Sequence, residues 1–231
     1  LDQDTRFEQT ITSIPPVIYV DDFAGTCTAG KKNATENYVV TGGASGVGLP
    51  ASGEKYVPGT ATDSHTGSGD AITSNYDCHR GTAYVQGNVN GKVTIGANKD
   101  VVATGDITRA NGATGKDAIG LISTGYVWVH HPLNSSNANL YSTPPVDTLE
   151  VAILAASHSF AVQNWRSGSP LGDLNVIGAI AQRFRGAVGS GTGTTVSTGY
   201  EKNYQYDERF GYLQPPHFLL PVRLFGIDVG I

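Results

Sequence analysis

From residue 93 onward the sequence repeats itself, and this repeat restricts the possible folds more than any other feature. Short β-branched runs come in pairs. Val93-Thr-Ile95 precedes Val101-Val102, and Ile119-Gly-Leu121 precedes Val127-Trp-Val129. Val151-Ala-Ile153 precedes Phe160-Ala-Val162, and Val176-Ile-Gly178 precedes Phe184 and Val188. The runs of a pair start about eight residues apart, and successive pairs start about 25 to 31 residues apart. Short strands at this period, with polar corners and no helical periodicity, predict a solenoid. One unit cannot bury its inward face alone, so units stack and share a continuous core.

Corner lengths support the same expectation. The corner inside each pair stays short ("GANKD", "STG", "ASHS", "AQR"), whereas the linkers between pairs grow, as in "HPLNSSNANLYSTPPVD" and "RSGSPLGD". The expected fold is all-β, a right-handed parallel β-helix (β-solenoid) over residues 81–190. A β-sandwich is the alternative. Its hairpin dipeptide Asn-Gly occurs only at 90–91 and 111–112, between the pairs rather than inside them.

The flanks differ from the repeat region. Residues 1–80 contain one short β-rich run, Val17 to Val20, followed by "TGGASGVGLPASGEKYVPGTATDSHTGSGD", which reads as long surface loops continuous with the solenoid. Residues 191–231 read as a connector and a C-terminal cap over the last rung, since the Gly/Ser/Thr tract at 189–199 has linker composition. A helical turn or two is expected through 203–213, with Tyr206, Phe210 and Leu213 on one face. Tyr200, Tyr204, Tyr206 and Tyr212 are expected to pack on the solenoid, sugar stacking being the other use.

Composition narrows the partners. Thirty glycines and only 15% charged residues suit many short strands and turns. A net charge of −5 without a basic cluster argues against a nucleic-acid surface. No apolar run reaches eighteen residues, so membrane contact is expected only through a segment absent from this chain. The chain has no methionine, which is the expectation for a processed product or a piece of a longer precursor. Cys27 and Cys78 are expected to form a disulfide closing a loop of about fifty residues, stabilising by ~4 kcal/mol, which points outside the cytosol. Cys78-His79 is alternatively half a metal site or a thiol nucleophile, without a second cluster to complete it.

Catalysis finds little purchase. The loop "GGASGVG" completes neither a nucleophile elbow nor a phosphate cradle. His130 and His131 are adjacent on a strand end and point apart, so each is read as a hydrogen-bonded corner histidine. The same holds for His158 and His217, and His65 with Asp63 lies in the loose loop. Glycosidases need two carboxyls set across the sugar. Here Asp100, Asp106, Asp117, Asp147 and Asp173 mostly fall at corners, and only Glu150 lies within a strand. Arg183 and Arg185 are only loosely in step with it. An Asp207/Glu208–Arg209 pair is expected at a solvated surface. No catalytic residue, metal or cofactor is assigned, and a polysaccharide hydrolase or lyase is the runner-up.

The strings "GAIAQRFRGAVG" and "GYEKNYQYDERFGYLQPPHFLLPV", with "GKVTIGANKDVVATGDI" and "YVWVHHP" upstream, resemble a family of uncharacterised actinobacterial envelope proteins. The resemblance covers about residues 81–222. Such proteins are associated with type IV pilus or pseudopilus gene clusters (PilX-type). The resemblance implies an envelope or pilus-associated structural role. The expected function is an extracellular or cell-surface structural or adhesive module, with other pilus or envelope proteins and cell-surface carbohydrate as expected partners. A phage or surface adhesin fibre is a further alternative. No catalytic residues are established for the family.

Overall fold

The computed structural model describes residues 15–22, 51, 53–55, 81–193 and 195–218. Cys27, Cys78, His65, Asp63 and the "GGASGVG" loop lie outside them, and so does the expected disulfide. The described chain is nearly all-β, with a large and mostly parallel sheet, as its branched, turn-punctuated sequence predicts.

The strands fall into two ladders. Ladder one stacks β1 (Val17–Val20), β3 (Lys92–Ala97), β5 (Ala118–Ser123), β8 (Ala152–Ala155) and the last residues of β10 (Pro170–Gln182), all parallel. Ladder two stacks β2 (Ala83–Val89), β4 (Val101–Arg109), β6 (Val127–Val129) and β9 (Phe160–Val162). It also runs from β4 through β7 (Thr148–Leu149) and the middle of β10 to β12 (Thr195–Tyr206). Among the described residues the one antiparallel strand pair is β12 with β11 (Gly189–Thr192). The hairpin pairing expected of a sandwich is therefore confined to this spot.

Register converts the sequence period into columns. Thr94 pairs with Gly120, Gly120 with Ala152 and Ala152 with Ala179. One residue on, Ile18, Ile95, Leu121, Ile153 and Ile180 form an inward column. Leu121 and Ile153 are buried, and the end members pack against the same core. Ala83, Val101, Val127 and Phe160 form the facing column of ladder two. Burying each large apolar side chain contributes about 1.5–3 kcal/mol, so stacking rather than any single strand holds the fold.

The corner inside each expected pair is short and repeats. Asn98 N–H donates to Val20 O, Thr124 to Ala97 O, Ala156 to Ser123 O and Arg183 to Ala155 O, each between 2.9 and 3.3 Å.

Four expectations need correction. First, the fourth pair is displaced: Val176 belongs to ladder two, opposite Leu149 and Tyr204, and Ala179–Gln182 takes the ladder-one place. β10 passes straight from one ladder to the other, and Gly178 sits at the crossing because a Cβ there would strike the Val151 carbonyl. Phe184 is consequently exposed rather than inward. Second, ladder two contains further pairings, through β7 and the C-terminal part of β4, that the paired-run pattern does not include. Third, the 189–199 tract forms β11 and the start of β12, where a connector was expected. Fourth, residues 203–206 continue β12, and only Glu208–Gly211 form a short 3-10 turn.

The segment 207–218, the described part of the expected C-terminal cap, lies as a strap across the outer face of ladder one. Asp207 N–H donates to Gly178 O, Phe210 and Leu213 pack with Ala118, Ala152 and Ala179, and Phe218 rests over Gly120. Thr94 Oγ1 on β3 donates to Pro216 O of the strap, so the strap spans from β10 back to β3.

Candidate functional site

The acidic side chains are the natural first test for chemistry, and their geometry accounts for most of them. Asp22 Oδ1 accepts from Gly81 N–H at 2.8 Å, and Asp100 Oδ1 from Tyr126 N–H at 2.7 Å. Asp106 Oδ1 accepts from the N–H groups of Asp147 and Thr148. Asp117, buried, accepts from Gly91 and Asn111 N–H at 2.7 and 2.8 Å. Burial alone would raise the Asp117 carboxyl, but these donors outweigh it and hold it below the ordinary range. Asp22, Asp100 and Asp117 satisfy backbone donors where the chain turns between strands, and Asp106, within β4, does the same for the start of β7. Asp173 is exposed on β10.

Glu150 is the exception in sequence and the centre of a cluster in space. Its Oε2 accepts from Arg109 N–H at 2.7 Å, and its Oε1 lies 3.0 Å from Arg109 Nη2. Arg109 Nη1 reaches Asp207 Oδ2 at 2.6 Å, and Arg209 Nη2 reaches the same oxygen at 2.7 Å. Arg209 Nη1 then donates to Gly115 O at 2.7 Å. Burial would raise Glu150, but hydrogen bonds from Arg109 and its charge prevail and lower it. Asp207 and Arg209 are buried, which corrects the expectation of a solvated pair. Glu208 takes no part in the pair. Two carboxylates do converge here, yet each is neutralised by a guanidinium. The cluster clasps the root of the strap to β4 and to residue 150, just after β7.

The histidines behave as corner residues. His131 is buried, with Nδ1 3.1 Å from Gln163 O and Nε2 3.0 Å from Asn139 Oδ1. Burial depresses its pKa below the ordinary imidazole value, against the pull of both acceptors. His130 Nε2 lies 3.5 Å from Glu54 Oε1, which ties residues 53–55 to the end of β6. Lys55 N–H, donating to Leu133 O, adds a second tie. Among the described residues no group of three or more His, Cys, Asp or Glu is placed to hold a metal ion.

The surface feature that sequence reading missed is aromatic. Tyr126 stacks on Trp128 with centroids 4.3 Å apart and on His158 at 4.5 Å, the latter rings 5° from parallel. Tyr126 and His158 occupy the same short corner one strand apart, so the stack follows from the repeat. The signal was present: aligning "STGY" (123–126) with "AASH" (155–158), in the register Ser123 to Ala155, superposes the two rings. With Tyr84, Val102 and Ala161 they roof the outer face of ladder two. Of the tail tyrosines only Tyr200 is buried, whereas Tyr204, Tyr206 and Tyr212 are exposed. Arg183 and Arg185 lie at the corner beyond His158, away from Glu150's partners.

No helix among the described residues is long and apolar enough to cross a membrane. Comparison with protein-family models, curated proteins and solved structures returned no match.

Proposed function

We propose that this chain is an extracellular β-solenoid, right-handed and parallel, serving as a structural or adhesive module of a pilus-like or cell-envelope system. The observation that supports it best is the use of the carboxylates. Asp22, Asp100, Asp106 and Asp117 bond to backbone donors, and Glu150 and Asp207 pair with Arg109 and Arg209. Side chains spent in this way hold a scaffold together and leave the outer surface to binding. The parallel columns at the sequence period support the solenoid itself. Partners are then other envelope proteins and surface carbohydrate.

Protease shaving of intact producing cells tests the reading. Release of peptides from this chain without lysis is the expected result. Recovery only from lysed cells, with Cys27 and Cys78 both as free thiols, would overturn it. The polysaccharide-enzyme reading draws on the convergence of Glu150 and Asp207. It requires reducing-sugar release from envelope polysaccharide that disappears in Glu150→Gln.

A further inference from the structure

Ladder one has two ends, and the described residues give neither a strand neighbour there. At one end β1 pairs only with β3, and at the other Ala179–Gln182 of β10 pairs only with β8. The inward column ends on Ile18 at the first and on Ile180 at the second, both only partly buried.

The short corner carries opposite charge at these two ends. Its successive levels are residues 21–22, 98–100, 124–126, 156–159 and 183–185, as the hydrogen bonds from Asn98, Thr124, Ala156 and Arg183 to the preceding strand show. The first level is Asp21-Asp22, exposed; the last is Arg183-Phe184-Arg185, exposed. No carboxylate among the described residues pairs with either arginine. Arg185 also acts on Lys202 of β12, which adds a third cation at that end.

Resting on the solenoid reading above, we propose that copies of this chain associate head to tail, β10 of one copy pairing with β1 of the next. The parallel register continues across the joint. Ile18 of the next copy extends the Ile180 column, and the Asp21-Asp22 corner lies under the Arg183/Arg185 corner. The partner is thus a second copy, recognised by a strand edge that no described strand pairs and by a matched charge pair at one corner. Edge pairing and the apolar column supply affinity, and the charges set orientation. The contact joins two different surfaces, so it does not close on itself and generates a filament. Each copy adds five ladder-one strands, roughly 24 Å at about 4.8 Å per strand.

Sedimentation velocity of the whole chain over rising concentration is the test, with circular dichroism confirming that every variant is folded. Wild type is expected to form species of steadily increasing mass that shorten as salt rises. Arg183→Asp/Arg185→Asp, and separately Asp21→Arg/Asp22→Arg, are expected to weaken association by about tenfold or more, since like charges then face each other. In an equimolar mixture of the two variants both joints between unlike copies are complementary, and alternating species of increasing mass are expected. A wild type that stays monomeric to its solubility limit, a species that stops at two copies, or a mixture that fails to pair would each overturn the proposal. A monomer that is still shaved from the cell surface would overturn the filament and leave the structural role standing.

Discussion

The outer faces of the two ladders are built on the same parallel register and are covered in opposite ways. On ladder one the outward column is Thr94, Gly120, Ala152 and Ala179, and the chain's own strap lies in the trough these small side chains leave. On ladder two the column is Tyr84, Val102, Trp128 and Ala161, roofed locally by its own rings. Side-chain volume decides which covering is possible. A Cβ on Gly120 would stand 2.6 Å from Phe218 and 3.0 Å from Pro215, so the strap requires glycine there. One face is sealed by a segment distant in sequence, the other by residues of its own strands.

The sharpest way to break the contrast is to unfasten the strap at its root. Arg109→Ala leaves Glu150 without its charge partner and deprives Asp207 of one of two, with the guanidinium site itself nearly wholly buried. A loss of about 3–5 kcal/mol is expected in urea unfolding, because a broken buried pair strands the remaining charge. Trp128→Ala tests the other face. It removes a ring that is 6% exposed and stacked on Tyr126, and should cost about 3 kcal/mol while leaving hydrogen exchange across the strap unchanged. Gly120→Val should do the converse. It lifts Pro215 and Phe218, costs about 1–3 kcal/mol, and speeds exchange at residues 207–218 first.

The smallest effect is a pH dependence that belongs to neither face. The folded-state pKa of His131 is depressed, so the unfolded chain binds the proton more readily. Its contribution is complete above about pH 6.5 and is lost as pH falls below that value. Melting temperature should decline on acidification through this window, and His131→Gln should flatten that decline. Glu150, also depressed, acts in a lower range, below the ordinary carboxylate value. Its support is present above that value and fades as pH falls through its folded pKa.

The contrast also marks what could be read from the sequence. The inward columns were legible because Ile95, Leu121 and Ile153 are branched or bulky and recur at the stacking period. The β7 level of ladder two was not. Its strand is two residues long, Thr148–Leu149, and follows a long polar insertion, so no local pattern announces it. The displaced fourth pair misled for a related reason: Val176-Ile177 has strand composition, and composition does not say to which ladder a strand belongs. Of the candidate site, Asp100 and Asp117 at turns were visible, but Asp106 and Asp173 lie within β4 and β10, and Glu150, expected inside a strand, falls just after β7. The clasp was invisible. Arg109 meets Glu150 across 41 residues and Asp207 across 98, and nothing local in "YDERF" distinguishes a buried pair from an exposed one.

The strap also dictates an order of events. Its far end bonds β3 across 122 residues, from Pro216 to Thr94, so that contact cannot form until most of the chain is available. Ladder strands, each added next to the one before, have shorter loops to close and can assemble as the chain is extended. The outer face of ladder one therefore stays bare through most of folding and is sealed last. During that interval its small, flat side chains are the surface a chaperone or a neighbouring chain would meet, and the speed of the final closure sets how long the unfinished molecule is vulnerable.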